Sequence, residues 1–177
     1  HQIAKLLKDK GYQIIIAGDK NHIEVKGIKA WAGKNSIVIS SPNEAKKIKI
    51  KKDQKIGLVA QSTQETRNLE EIAAVLKLKQ PALKIYDTIC EPTKKRQSSI
   101  KDLAKGKEAI VVIGDQMSAN SKRLYQIAKN INPKTYFISA ASELKPHWFK
   151  NINEIGITAG ASTSDKAIEE TIELLTL

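Results

Sequence analysis

The sequence predicts an α/β protein of two similar units, each built on a sheet whose strands are mostly parallel. Three observations carry this. Short, continuous apolar runs recur along the chain, as in YQIIIAG (12–18), KIGLVAQ (55–61) and EAIVVIG (108–114). Each run leads through a polar loop into a segment with helical spacing of apolar residues. Strands that are apolar on both sides need helices over both faces, which is the setting of parallel sheets.

In chain order, residues 3–11 (IAKLLKDKG) read as a helix closed by Gly11, and 12–18 as a strand. The loop DKNHIEVKG (19–27) follows. Residues 36–40 (SIVIS) read as a strand, and Pro42 begins a short helix through Lys47, proline being favoured at a first helical position. After the strand 55–61 comes a helix over 65–78, with Leu69, Ile72, Ala73 and Leu76 on one face. LKIYDTI (83–89) is a strand, and 94–105 a helix ended by Gly106. The strand 108–114 precedes a helix over 120–130. TYFIS (135–139) is a strand, 143–149 a short helix, EIGITAG (154–160) a strand and 164–175 a helix. This pattern implies about eight strands. The change from a long helix to proline at Gln80-Pro81 suggests units of 1–80 and 81–177.

Composition excludes several classes. A hydrophobic fraction of 41% suits a globular core, and no apolar run approaches the ~20 residues of a spanning helix. One cysteine allows no internal disulfide, and a cytoplasmic setting is the default. The chain opens with His1, not Met, and reads as a piece of a longer protein. The net charge of +11 would suit a polyanion. However, the lysines scatter over helix faces (Lys46, Lys47, Lys49, Lys94, Lys95) without interleaved aromatics, so nucleic-acid binding is disfavoured.

Parallel sheets bind ligands beyond the carboxyl ends of their strands. The loops there hold His22, Glu24, Ser62, Thr63, Cys90, Ser118, Asn120, Ser162 and Thr163. Helix capping alone explains any single Ser, Thr or Asn among them. Taken together, several helix N-termini on one rim suit a phosphate or diphosphate, and glycines 114, 156 and 160 would admit a ligand closely. There is no GxxxxGK[ST] or GxGxxG, so a nucleoside triphosphate or dinucleotide is not indicated. In an extended segment His22 and Glu24 would share a side. Cys90 stands between a strand and a helix, a place for a nucleophile, a metal ligand or simply a buried thiol.

These motifs resemble a known family. DTICEPTKKRQ (87–97), HIEVKG (22–27), AQST (60–63), SANSKRL (118–124) and GITAGAST (156–163) are similar, in order and spacing, to motifs of the 4-hydroxy-3-methylbut-2-enyl diphosphate reductase, or LytB, family. The resemblance implies three α/β units about a pseudo-threefold axis, of which this chain would hold the second and third. A cysteine from each unit would ligate a 4Fe–4S cluster. Cys90 would be one of the three, its two partners lying upstream. Glu24 would donate protons near the departing hydroxyl, beside Thr63 or its neighbour Ser62. His22, Ser62, Thr63, Ser118, Asn120 and Ser162 would contact the diphosphate substrate. Electrons would come from a donor such as ferredoxin or flavodoxin. The implied reaction is reductive dehydroxylation to isopentenyl and dimethylallyl diphosphate, the last step of the non-mevalonate pathway. The alternative is a non-catalytic diphosphate-binding module. Four positions depart from the family pattern: Ile23 for proline, Ser62 for threonine, Pro92 for alanine and Ala119 for serine.

Overall fold

The computed structural model describes residues 1–51 and 53–176. They form two compact units, His1–Cys90 and Glu91–Leu177.

The first unit runs α1 (Gln2–Asp9), β1 (Gln13–Ala17), α2 (Ile23–Ala32), β2 (Ile37–Ile39), α3 (Pro42–Lys47), β3 (Ile56–Ala60), α4 (Thr66–Lys79) and β4 (Lys84–Tyr86). Its sheet has the order β2-β1-β3-β4, and every pairing is parallel. Alternation along β1 sends Ile15 and Ala17 to one face and Ile14 and Ile16 to the other. The first pair packs with Leu69, Ile72 and Leu76 of α4, and the second with Leu7 of α1 and Val25 and Ile28 of α2. The apolar runs are therefore central strands with helices on both faces. Ser41 caps α3, its Oγ accepting from the Glu44 N–H, while the Glu44 carboxylate accepts from the Ser40 N–H.

The second unit runs α5 (Glu91–Gly106), β5 (Ala109–Ile113), α6 (Ala119–Ile131), β6 (Thr135–Ile138), β7 (Ile155–Ala159) and α7 (Asp165–Thr176). Its sheet order is β6-β5-β7, again all parallel. Ile110 and Val112 meet α5 and α6, and Val111 and Ile113 meet α7 and the residues before β7.

Several expectations change. The seven runs read as strands are the seven strands among the described residues, one short of the expected count of about eight. The loop 19–27 is not extended beyond His22: α2 begins at Ile23, because Val25, Ile28 and Ala32 bury one face. The short helix expected at 143–149 is two 3-10 turns, Ala141–Glu143 and Pro146–Phe149. Strand β4 stops at Tyr86. There the Thr88 hydroxyl takes over from the backbone ladder, accepting from the Ala60 N–H at 2.9 Å and donating to the Ala60 carbonyl. The two units part at Cys90 rather than Gln80, because β4 is hydrogen-bonded to β3 and so completes the first sheet.

Candidate active site

In each sheet the chain leaves the central strand to one side and later returns to its other side. The first sheet reverses between β1 and β3, the second between β5 and β7. Loops diverge at such a point and leave a crevice at the carboxyl ends. Nearly every polar residue singled out by the sequence follows one of these four strands.

In the first unit, His22 caps α2, its Nδ1 accepting from the Glu24 N–H at 3.3 Å. A neutral His22 then carries its proton on Nε2, the atom left for a ligand. The cap sets Glu24 in the first turn, half-buried, with its carboxylate reaching the loop after β3. Glu24 Oε1 accepts from the Ser62 N–H at 2.7 Å, and Oε2 accepts from the Ser62 hydroxyl at 2.9 Å. The Ser62 carbonyl in turn accepts from the Cys90 N–H at 3.0 Å. Ser62 thus joins three loops, those after β1, β3 and β4. The Cys90 side chain is exposed at the start of α5. A cavity of about 310 Å³ lies beside the pair, its lining including Glu24, Ser62, Thr88, Ile3 and Ile28. It mixes a carboxylate and hydroxyls with aliphatic walls, as small-molecule pockets do.

Thr63 Oγ1 accepts from Gln61 Nε2 at 2.9 Å. The sequence left Thr63 and Ser62 as alternatives beside Glu24; in this structure the hydroxyl hydrogen-bonded to Glu24 is that of Ser62. Sequence reasoning also missed Gln61. This side chain is 4% exposed. Its Oε1 accepts from the Asp19 N–H at 3.1 Å, tying the loop after β1 to the loop after β3. Polarity at a strand end was the available signal, but Gln61 has no obvious chemistry to advertise it. Thr88 was missed because it read as part of a strand.

In the second unit, Ser118 caps α6, its Oγ accepting from the Ser121 N–H at 3.3 Å. The Asp115 carboxylate accepts from the Met117 N–H at 2.6 Å and shapes the turn. Among the described residues, two buried side-chain atoms have no hydrogen-bond partner, Asn120 Nδ2 and Ser121 Oγ. Both lie on the first turn of α6. Unmet buried polar groups are rare and costly, and here they sit where the helix dipole favours an anion. Ser162 is exposed in the loop after β7, and Thr163 donates to the Ile113 carbonyl at 3.1 Å. Gly114 and Gly160 belong to this rim. Gly156 does not: a Cβ there would lie 2.8 Å from both Leu103 and Ile110, so its glycine serves packing.

No three of His, Cys, Asp and Glu among the described residues gather to hold a metal ion. Cys90 is therefore a single thiol donor within this chain.

Comparison with known proteins agrees with the motifs. The family model described as LytB protein matches residues 1–176. A 4-hydroxy-3-methylbut-2-enyl diphosphate reductase of Geotalea uraniireducens is 39% identical over 167 residues, covering 94% of this chain and 58% of that protein. The enzyme of that name from Aquifex aeolicus is 37% identical, covering 96% and 59%. The solved structure of the E-1-hydroxy-2-methyl-but-2-enyl-4-diphosphate reductase from Plasmodium falciparum is 26% identical and superimposes with a TM-score of 0.95, covering all of this chain and 56% of that one. The chain thus spans well under two thirds of the length of these relatives. With its motifs, its parallel sheets and the match over residues 1–176, the chain belongs to the LytB protein family.

Proposed function

We propose that this chain supplies the second and third units of a 4-hydroxy-3-methylbut-2-enyl diphosphate reductase. The observation that carries the reading is the closed arrangement of Glu24, Ser62 and Cys90, in which one serine bonds both carboxylate oxygens and holds the thiol-bearing backbone.

The reaction replaces an allylic hydroxyl by hydrogen. The C–O bond breaks, the hydroxyl leaves as water after taking one proton, and a second proton adds to the allylic carbon skeleton. Two electrons come from outside, and a ferredoxin or flavodoxin is the donor class we propose. Addition at either end of the allyl system gives isopentenyl or dimethylallyl diphosphate. Glu24 is the proton donor: its carboxyl group hands a proton to the leaving hydroxyl, and Ser62 holds both its oxygens in place. His22 Nε2, the Ser118 hydroxyl, the Asn120 amide and Ser162 hold the diphosphate, with the N-terminus of α6 favouring its charge. Tight placement of the diphosphate fixes the hydroxyl end, so binding energy remote from the chemistry serves orientation.

Cys90 fits one corner of a 4Fe–4S cluster, being an exposed thiol at a helix start, and the other ligands must come from outside this chain. Such a cluster, when bound, supplies a Lewis-acidic iron and a route for electrons. We propose a cytoplasmic setting, the default for a chain whose single cysteine allows no internal disulfide. No helix among the described residues is long and apolar enough to cross a membrane.

The test is turnover by the full-length protein, purified without oxygen and supplied with a chemical reductant. Both isomeric diphosphates should form, and Glu24→Gln should bind substrate but lose turnover. Binding of diphosphate without turnover by the wild type would favour a non-catalytic binding module.

A further inference from the structure

Ser121 is not among the residues that the family motifs assign to the diphosphate. Its side chain is fully buried, its hydroxyl has no partner, and it lies where the loops after β5 and β7 come together. On one side stands Gly114, the residue after β5. On the other stands Gly160, the residue after β7. A Cβ built on either glycine would fall well inside contact distance of Ser121 Oγ. Neither glycine has a positive φ; among the described residues the glycines that do are Gly11 and Gly33. They are therefore glycine for room, and the group that needs the room is the Ser121 side chain. Gly160 stands two residues before Ser162, and Ser121 directly follows Asn120.

We infer that Ser121 is a positioning residue of the diphosphate site: its side-chain oxygen is the spacer that sets the distance between the loop carrying Ser162 and the helix start carrying Ser118 and Asn120. This rests on the proposed diphosphate reading. The spacing of donors around an anion decides how many can reach it at once, so a change of one atom at the spacer is read as affinity.

The geometry gives a crossed test. A methyl on Gly160 would collide with Ser121 Oγ but stand 3.3 Å from Ser121 Cβ and 3.3 Å from Thr163 Oγ1, contacts that a small shift can absorb. A methyl on Gly114 would stand only 2.7 Å from that Cβ. Removing the oxygen should therefore relieve Gly160→Ala and not Gly114→Ala. In the full-length protein, Ser121→Ala should weaken binding of inorganic diphosphate and raise KM about tenfold with kcat held. Gly160→Ala should be worse, and Gly160→Ala with Ser121→Ala should recover most of the way to the level of Ser121→Ala alone. Gly114→Ala should gain nothing from the same second change. Melting curves accompany each variant. Ser121→Ala with wild-type KM and affinity, whatever its melting temperature, overturns the inference, as does absence of recovery in the double variant. A wild type that binds diphosphate but does not turn over substrate sinks the reductase reading and leaves the spacer testable by binding. A wild type that binds no diphosphate overturns both.

Discussion

The two units share a plan and differ in how their polar groups are finished. Both place a crevice where a parallel sheet reverses direction. In the first unit the crevice is closed by internal bonds: Glu24 is held by Ser62 through two of them, and Gln61 is bonded on both sides of its amide. In the second, Asn120 Nδ2 and Ser121 Oγ are buried and unmet. A group that must move a proton along a fixed path benefits from being oriented beforehand. A site that must take up an anion keeps a donor open, as Asn120 Nδ2 is here, and the ligand completes it. On the proposed function, the proton donor Glu24 belongs to the first unit, and most of the groups proposed to grip the diphosphate belong to the second.

The sharpest way to break this division is to remove one group from each unit in the full-length protein. Glu24→Gln should lower kcat by roughly 10²- to 10⁴-fold, the usual worth of a positioned acid, with KM little changed. Asn120→Ala should do the reverse, raising KM roughly 10- to 150-fold through the loss of a hydrogen bond to a charged ligand, worth roughly 1.5–3 kcal/mol. If Glu24→Gln chiefly moved KM, the division would fail. Ser62→Ala removes the hydroxyl bond to Glu24 but keeps the N–H bond, so a loss of about 1 kcal/mol in stability is expected, with a fall in kcat smaller than that of Glu24→Gln. Denaturant titration and single-turnover rates check both parts.

The smallest effect lies away from the sites. Glu108 accepts from the Asn153 and Glu154 N–H groups, which hold its carboxyl below the usual carboxylate range. A depressed value in the fold means a contribution to stability that is present above the unfolded-state carboxylate pKa and lost as pH falls through the folded-state value. Glu108→Gln should therefore melt slightly lower at neutral pH, and the gap should vanish on acidification. Both groups are at the surface, so the effect is small.

The central strands were legible because Ile14-Ile15-Ile16 and the AIVVI run have no polar residue to dilute the pattern. Helix α2 was not. Gly27 interrupts it, and the interruption has a local cause: the His1 imidazole packs where a Cβ on Gly27 would stand, 2.9 Å from its Nε2. The position of Cys90 was readable as a junction, but that it belongs with the first unit depends on β4 pairing with β3 and on the Ser62 carbonyl. Ser62 and Thr63 are neighbours of like chemistry, so only side-chain geometry could choose between them. Ser121 carries no chemical signature at all: its meaning comes from two glycines 7 and 39 positions away in sequence.

The all-parallel pairing also bears on synthesis. Among the described residues neither sheet contains a hairpin. Gln13 must find Ile56, and Ala109 must find Ile155. At the usual ~5–20 residues per second, the ribosome needs on the order of a few seconds to deliver β3 after β1. For that interval the triple isoleucine of β1 is a short, uncharged, strand-forming segment without its mate, the kind that pairs with other chains. Slower translation would lengthen this exposure, and the nascent protein, more than the finished one, is where this fold is vulnerable.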